Sequence, residues 1–169
     1  STQAKTLFPY TTLFRSLVRE LKPLPHQKVF FSYYEYGTPY YLFNPRFQTT
    51  LKEDRDVLLV SAIARADYLK TYVSENSRAV FTLEYADHHF FEESEMSDIK
   101  KAFGNISTED NQKMILTTEK DAVRLEMHKN FIIENKLPIF VMPVQVQFHF
   151  EEKIQFDQTI RDFLLNFKV

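Results

Sequence analysis

The chain has 169 residues, 44% of them hydrophobic and 26% charged, a balance that predicts one soluble globular domain with a sizeable core. Its formal net charge of −2 predicts no general attraction to nucleic acid or anionic lipid, and the absence of cysteine excludes disulfide and thiolate chemistry. The chain has only two glycines, Gly37 and Gly104, so it has no glycine-rich loop to cradle a phosphate, and no stretch approaches the roughly 20 apolar residues that cross a bilayer.

The start of the chain carries a foreign signature. Residues 6–16, TLFPYTTLFRS, resemble residue for residue the conceptual translation of a common sequencing-adapter oligonucleotide. We therefore predict that residues 1–16 are an artefactual leader and that the natural sequence begins near Leu17. The alternative is an ordinary amphipathic leader, whose apolar side chains could pack on a core.

Residues 17–55 are predicted to form a hinge or linker region. The segment ending at Leu21 is typical of the last turn of a helix, and two prolines follow it. Val29–Tyr36 is rich in β-branched and aromatic residues, which predicts a strand, and Tyr40–Phe43 could pair with it as a two-stranded ribbon. The polar stretch 44–55 is predicted to be an irregular linker.

From residue 56 onward strands alternate with helices, which predicts a carboxyl-terminal α/β lobe (residues 56–169) with a mainly parallel sheet flanked by helices. The first strand is continuously apolar, as in strands buried on both faces of a parallel sheet. Strands are predicted at Asp56–Ser61, Ala79–Tyr85, Met114–Thr117 and Ile139–Phe150. Helices are predicted at Asp67–Glu75, Glu92–Phe103 (with Ser94 or Ser97 as the cap), Glu119–His128 and Phe156–Phe167.

A first polar cluster, Asp87, His88 and His89, directly follows the second of these strands. A carboxylate beside an imidazole fixes the ring tautomer and raises its basicity, which suits proton transfer or contact with a phosphate. Adjacent side chains of an extended chain point oppositely, so His88 and His89 are not expected to serve one site equally. The alternative is a surface turn with solvated histidines. No other His or Cys cluster completes a metal shell, so no metal site is predicted.

A second polar cluster follows the third strand and opens a helix. Hydroxyl groups there can accept the free amides of the helix and donate to a ligand, and early acidic residues suit the positive end of its dipole. The alternative is a purely structural cap, with Thr118 as N-cap and Asp121 as the acid of a capping box. The members of this cluster are Thr117, Thr118, Glu119, Lys120 and Asp121.

Both clusters are predicted at the carboxyl ends of parallel strands, the edge at which open α/β folds bind ligands. Arg65 follows the first buried strand, so its guanidinium could reach an anion at the same edge. A surface ion pair is the alternative for this residue. The sequence therefore predicts one ligand site that both clusters share.

Together these motifs resemble the carboxyl-terminal half of the tetraacyldisaccharide 4'-kinases, the lipid A kinases of Gram-negative bacteria. The resemblance runs from about Leu17 to the end of the chain, with the motifs in the family's order and spacing. The matching segments are Ser61–Arg65, Asp87–His89 and Ile115–Leu125.

Further segments refine this resemblance. Val29–Ser32 and Tyr36–Gly37 are similar to the variant found in Bacteroidetes-type bacteria. Ala62 and Ala66 stand where the family usually has Gly and Pro, and these departures leave Arg65 in place.

The resemblance implies transfer of a phosphoryl group from ATP, with Mg²⁺, to the 4'-hydroxyl of a tetraacylated disaccharide 1-phosphate, the lipid A precursor. It also implies two α/β lobes joined by a two-stranded linker, at the cytoplasmic face of the bacterial inner membrane. The P-loop, a catalytic carboxylate, the main ATP and Mg²⁺ contacts and the membrane-associating segment would belong to an amino-terminal lobe. This chain would be the other lobe, soluble and inactive alone.

On this resemblance Asp87 orients His88, and His88 reaches across the cleft to the phosphates or to the base of the other lobe. Arg65, His89 and the Thr117–Asp121 cluster would bind nucleotide or substrate. Two alternatives stay open: a nucleotide-binding or interaction lobe without turnover, and a metal-dependent phosphoesterase of the type marked by an Asp-His-His triplet. The second would need further aspartates upstream as metal ligands.

Overall fold

A computed structural model of the protein describes residues 7–109 and 112–167, with side chains from residue 12 onward. These residues form two compact units. One combines both ends of the described chain, up to Glu35 and from Gln145, and the other is Tyr36–Val144. None of the helices in the described ranges has the length and apolar character that crossing a bilayer requires.

The chain begins with a helix and three strands. Strands and helices then alternate, except for one pair of successive helices and one pair of successive strands. Single 3-10 turns at Glu126–His128 and His149–Glu151 precede the last two helices. The bounds are α1 Leu7–Leu21, β1 Ser32–Tyr36, β2 Tyr40–Tyr41, β3 Asn44–Gln48, β4 Asp56–Ser61, α2 Asp67–Glu75, β5 Ala79–Glu84, α3 Glu93–Gly104, β6 Lys113–Thr118, α4 Glu119–Leu125, α5 Lys129–Glu134, β7 Ile139–Met142, β8 Val144–Phe148 and α6 Lys153–Asn166.

The unit Tyr36–Val144 is built on a six-stranded sheet with the strand order β3-β2-β7-β6-β4-β5. The neighbours among β4, β5, β6 and β7 pair in parallel, whereas β2 is antiparallel to both β7 and β3. β4 lies between β5 and β6, with Val57 opposite Val80 on one side and Met114 on the other. The predicted α/β class, with a mainly parallel sheet flanked by helices, is confirmed.

The core lies on both faces of this sheet, because alternate residues of β4 point to opposite faces and all six are buried. On one face Leu58 packs in a cluster with Ile99 of α3, Leu125 of α4 and residues of α5. On the other face Leu59 packs in a cluster with Val73 of α2. Helices α3, α4 and α5 therefore cover one face, and α2 covers the opposite one.

This distribution of helices creates a topological switch point at one edge of the sheet. The chain leaves β4 for α2 on one face, and it leaves the neighbouring strand β6 for α4 on the other face. The two connections diverge at the carboxyl ends of adjacent parallel strands, and such a point is where open α/β sheets bind ligands.

The predicted ribbon between the first two strands is wrong. β1 pairs with β8, and β2 instead joins the main sheet beside β7. The chain changes sheets at Gly37, whose amide donates to the carbonyl of Pro143 at 2.9 Å. A Cβ at Gly37 would lie 3.0 Å from Cγ of Pro143, so the close approach of the two segments depends on this glycine.

Three further expectations about the elements are wrong. The polar stretch after Asn44 is not irregular throughout, because β3 forms the exposed edge of the main sheet. The last predicted strand is interrupted at Pro143, which lacks the N–H that a continuous strand would need. The helix predicted over Glu119–His128 ends at Leu125, and a 3-10 turn follows.

The start of α3 also differs from the prediction. Its N-cap is Glu92, whose side chain accepts the amide of Glu95, and the Glu95 carboxylate accepts the amide of Glu92 at 2.8 Å. Ser97, offered as a cap, instead donates back to the carbonyl of Glu93. A glutamate thus forms the reciprocal capping box in which serine or threonine is the usual first residue.

The other unit contains the two-stranded sheet of β1 and β8 with the terminal helices. The amide of His149 donates to Phe31, and the ring of Phe14 in α1 lies 4.4 Å from that of Phe31. Residues 1–6 of the predicted artefactual leader lie outside the described residues, and its artefactual origin stays a prediction. Within the predicted linker region, β2 and β3 join the main sheet. The boundary at residue 56 and a hinge role for residues 17–55 stay predictions.

Candidate functional site

Three loops meet at the carboxyl edge of the main sheet. They follow β4, β5 and β6, and β4 is the strand between the other two. The loop after β4 carries Arg65, and the loop after β5 carries Asp87, His88 and His89, here called the Asp87 cluster. The end of β6 and the first turn of α4 carry Thr117–Asp121, here called the threonine cluster. The predicted site residues therefore lie on adjacent loops of one sheet edge.

An ion pair joins the two polar clusters directly. Nζ of Lys120 donates to Oδ1 of Asp87 at 2.7 Å, although the two residues come from different loops. The hydrogen bond from Lys120 is the main cause that lowers the pKa of Asp87 below its ordinary value. This contact spans the carboxyl end of β4 and makes the two clusters one constellation.

The Asp87–His88 turn presents an imidazole to solvent. The amide of His88 donates to Oδ1 of Asp87 at 3.0 Å, and the His88 backbone has a φ of 64°, in the left-handed region. Nε2 of His88 is 3.5 Å from Oδ2 of Asp87, and the side chain is 73% exposed. A left-handed backbone is uncommon for a residue other than glycine, although histidine adopts it more readily than most.

His89 is held quite differently from His88. Its Nε2 lies 2.7 and 2.8 Å from the two carboxylate oxygens of Glu95, and its ring stacks on Tyr85 with 5.1 Å between the ring centroids. Because Glu95 also caps α3, His89 fastens the turn that carries Asp87 and His88 to the start of that helix. The expected difference between the two histidines is present, and a ligand contact by His89 stays a prediction.

Asp121 is fully buried and links two loops. Its Oδ2 accepts the amide of Ala62 at 2.9 Å and the hydroxyl of Thr118 at 2.8 Å, and its Oδ1 accepts from Arg124 at 3.2 Å. Thr118 is the N-cap of α4, as the structural alternative proposed. With no exposed surface, the Asp121 carboxylate positions the loops after β4 and β6 rather than facing solvent.

Two buried hydroxyl groups lie near the same edge. Oγ1 of Thr117 and Oγ of Ser61 have no hydrogen-bond partner among the described residues, although both side chains are buried. Leaving such a group unpaired costs about 1–3 kcal/mol, so each keeps the capacity for a polar partner. Ser61 was not among the predicted site residues, and the signal for it is a small polar residue that ends an apolar strand.

The remaining predicted residues are exposed. Arg65 makes no hydrogen bond or ion pair with any described residue, so the surface ion pair offered as its alternative is not found there. Glu119 accepts the amide of Val144 at 3.3 Å. In the part of the chain that the structure describes, no group of three or more His, Cys, Asp or Glu side chains could hold a metal ion.

Comparison of the sequence with protein families and with curated proteins gives matches to one and the same family. The family model described as tetraacyldisaccharide-1-P 4'-kinase matches residues 21–164. A tetraacyldisaccharide 4'-kinase of Phocaeicola vulgatus is 32% identical over 153 residues, covering 89% of this chain and 41% of that protein. The corresponding protein of Bacteroides thetaiotaomicron is 30% identical over 158 residues, covering 85% of this chain and 40% of its own length.

A solved structure is also similar. The crystal structure of LpxK from Aquifex aeolicus in complex with ATP has a TM-score of 0.42 and 16% sequence identity, covering 86% of this chain and 40% of that one. The chain thus spans about two-fifths of the length of the curated relatives that it matches.

Proposed function

Because this chain belongs to the tetraacyldisaccharide 4'-kinase family, we propose that it supplies the carboxyl-terminal lobe of such an enzyme. The complete enzyme would transfer the γ-phosphate of ATP to the 4'-hydroxyl of tetraacyldisaccharide 1-phosphate, in lipid A biosynthesis. The observation that carries the proposal is the Lys120–Asp87 contact, which joins the two family motifs at one sheet edge. The chain's share of its relatives' length is consistent with one lobe of two.

In the proposed reaction this lobe would position the reacting groups and supply positive charge to the phosphate oxygens. Phosphoryl transfer depends on alignment and on stabilising charge on the phosphate oxygens more than on covalent catalysis. Arg65 and Lys120 supply cationic donors at the sheet edge, and such charge-assisted hydrogen bonds suit phosphate. Thr118 and Glu119 would line the nucleotide side, whereas Thr117 is fully buried, so its unpaired hydroxyl would not reach a nucleotide in this arrangement.

His88 is the proposed catalytic group of this lobe, with Asp87 orienting it. Its exposed imidazole would reach across a cleft to the phosphates or to the base in the other lobe once the lobes close. His89 and Asp121 would act indirectly in this arrangement, because they hold in place the loops that carry the proposed catalytic and phosphate-binding side chains.

The remaining requirements are proposed to lie in the rest of the full-length enzyme. They are the P-loop, the catalytic carboxylate, the main ATP contacts and the membrane association at the cytoplasmic face of the inner membrane. The described residues contain no group of three or more His, Cys, Asp or Glu side chains that could hold a metal ion, and we propose that Mg²⁺ would be held mainly by the rest of the enzyme.

A chimera tests the proposed function. Residues 21–164 would replace the segment that they match in the Phocaeicola vulgatus relative, and ATP-dependent phosphorylation of tetraacyldisaccharide 1-phosphate would be measured. We expect an active chimera, with the turnover number falling at least about 100-fold in His88→Ala because proton-transfer groups contribute that much. His26→Ala, an exposed histidine outside the site, is the matched control and should leave turnover unchanged.

Two results would contradict the proposal. A folded chimera without kinase activity would remove the proposed function, and an unchanged turnover number in His88→Ala would remove that histidine from the mechanism. The isolated chain is expected to bind ATP, measured by calorimetry, without turning it over. Metal-dependent hydrolysis of a phosphate ester by the isolated chain would favour the phosphoesterase alternative instead.

A further inference from the structure

We propose that Lys120 exchanges partners: it pairs with Asp87 while the site holds no phosphate, and it moves to a phosphate oxygen when one binds, which releases Asp87 to orient His88. This inference rests on the proposed function of the same site. It gives Lys120 a positioning role that depends on the ligand, in addition to binding.

The contacts of Asp87 show that its carboxylate is committed to Lys120. Oδ1 accepts from Nζ of Lys120 at 2.7 Å and from the amide of His88 at 3.0 Å. Oδ2 is 3.5 Å from Nε2 of His88, which is beyond a good hydrogen bond. Lys120 and His88 are the charged or titratable side chains recorded against this carboxylate in the described structure. In this arrangement Asp87 orients the imidazole only loosely.

The Lys120–Asp87 pair is suited to exchange because it is weakly held. Its side chains are 42% and 36% exposed, and ion pairs this exposed contribute little to stability. Lysine carries its ammonium on a flexible stem with rotatable donors, so Nζ can move without moving the backbone. The Asp56–Arg78 pair differs, because two hydrogen bonds of 2.8 Å fix it and Asp56 is 8% exposed.

The position of the pair makes a phosphate a competitor for Lys120. The pair spans the carboxyl end of β4, and the loop after β4 carries Arg65, a cation without a protein partner among the described residues. A phosphate attracted to Arg65 at this edge offers charged acceptors to the ammonium, and phosphate oxygens are strong acceptors for it. The nucleotide and the sugar 1-phosphate could each supply that group.

Release of Lys120 changes the pKa of Asp87 and its strength as a hydrogen-bond acceptor. The ammonium is the main cause of the lowered pKa of Asp87, so its departure raises the basicity of the carboxylate. A more basic carboxylate without a lysine partner is a better acceptor for the imidazole N–H of His88. The oriented imidazole would therefore form only when a phosphate is bound.

The test is an NMR titration of the Asp87 side-chain carboxyl carbon in the 169-residue chain, without ligand, with ATP, and with glucosamine 1-phosphate. In Lys120→Met we expect the pKa of Asp87 to rise toward its ordinary value without any ligand, and in Lys120→Arg to stay low. In the unaltered chain a phosphate should raise it, and in Lys120→Met the same phosphate should change it much less. Lys101→Met removes an exposed lysine that pairs with Asp98 on α3, and should have no effect.

The two phosphates separate the possible sources of the ligand. A shift with ATP alone identifies the nucleotide, and a shift with glucosamine 1-phosphate alone identifies the sugar. The proposal is overturned if Lys120→Met leaves the Asp87 titration unchanged, if neither phosphate changes it in the unaltered chain, or if a phosphate acts equally in Lys120→Met. An inactive chimera would contradict the proposed kinase function, whereas this exchange is read from the isolated chain.

Discussion

At the scale of single residues, Asp121 shows how a buried carboxylate can hold a site together without touching a ligand. It accepts hydrogen bonds from the loop after β4, from the cap of α4 and from Arg124. These partners converge on one side chain that water does not reach, so each loop depends on the same group for its position.

Asp121→Asn is expected to lower the free energy of unfolding by about 2 kcal/mol, because the amide NH₂ replaces an acceptor and leaves a buried donor unpaired. Urea unfolding measures the change, with an unaltered dependence on denaturant showing that the folded state is intact. Asp98→Asn is the matched control, since Asp98 is 64% exposed and its recorded ion pair among the described residues is with Lys101. Equal unfolding free energies for Asp121→Asn and the unaltered chain would contradict the positioning role.

The ion pair of Asp56 with Arg78 is expected to make the stability of the fold depend on pH in the acidic range. Two hydrogen bonds from Arg78 are the main cause that lowers its pKa in the folded chain. A carboxyl with a lowered folded pKa stabilises the fold fully above its unfolded pKa of about 3.9. That stabilisation is lost as the pH falls through the folded value.

We therefore expect unfolding free energy to fall below about pH 4, and to fall less in Arg78→Met, where the carboxyl keeps a more ordinary pKa. Urea unfolding at pH 6 and pH 3 compares the two chains. An identical loss of stability in both would show that this pair does not govern the response to acid.

At the scale of elements, local patterns identify strands and helices but not their partners. β4 and α2 have the predicted bounds, because a continuous apolar run and a helical spacing are local signals. β1 was recognised as a strand, but its pairing with β8 joins residues more than a hundred positions apart, which no local pattern encodes. The predicted ribbon failed for that reason.

Some features of the candidate site could likewise be predicted from the sequence, and others could not. The meeting of Asp87 with the threonine cluster could be anticipated, because carboxyl ends of parallel strands share one edge. The burial of Asp121 and the contact of His89 with Glu95 could not be anticipated. Both depend on how side chains from different segments of the chain meet in the folded structure.

Substitution of the two glycines by alanine is expected to have opposite effects on stability. A Cβ at Gly37 would lie 3.0 Å from the ring of Pro143, whereas a Cβ at Gly104 would meet nothing within 4 Å. We expect Gly37→Ala to destabilise the fold by about 1 kcal/mol through overpacking. Gly104→Ala, at the end of α3, should stabilise it by about 0.5 kcal/mol through the unfolded state. Thermal unfolding compares them, and a Gly37→Ala variant as stable as the unaltered chain, or more stable, would contradict the close contact.

At the scale of the whole molecule, the hydrophobic core belongs to one of the two compact units. Every buried hydrophobic side chain recorded for the described residues lies between Leu42 and Met142, within the unit Tyr36–Val144. The described part of the other unit contributes none, and large apolar side chains of α6 such as Phe163 and Leu165 are 62% and 77% exposed. The terminal unit therefore has little burial of its own to offset its conformational entropy.

A chain limited to residues 36–144 should therefore fold alone and keep the site. We expect cooperative urea unfolding with a free energy within about 1 kcal/mol of the 169-residue chain, since it retains both core clusters, which supply the hydrophobic term. The Asp87 titration should be unchanged, because Lys120 and His88 lie inside the same unit. The complementary control, a chain that links residues 7–35 to 145–167, should lack a cooperative transition. Cooperative folding of that control, or its absence from residues 36–144, would show that the terminal unit is an integral part of the core.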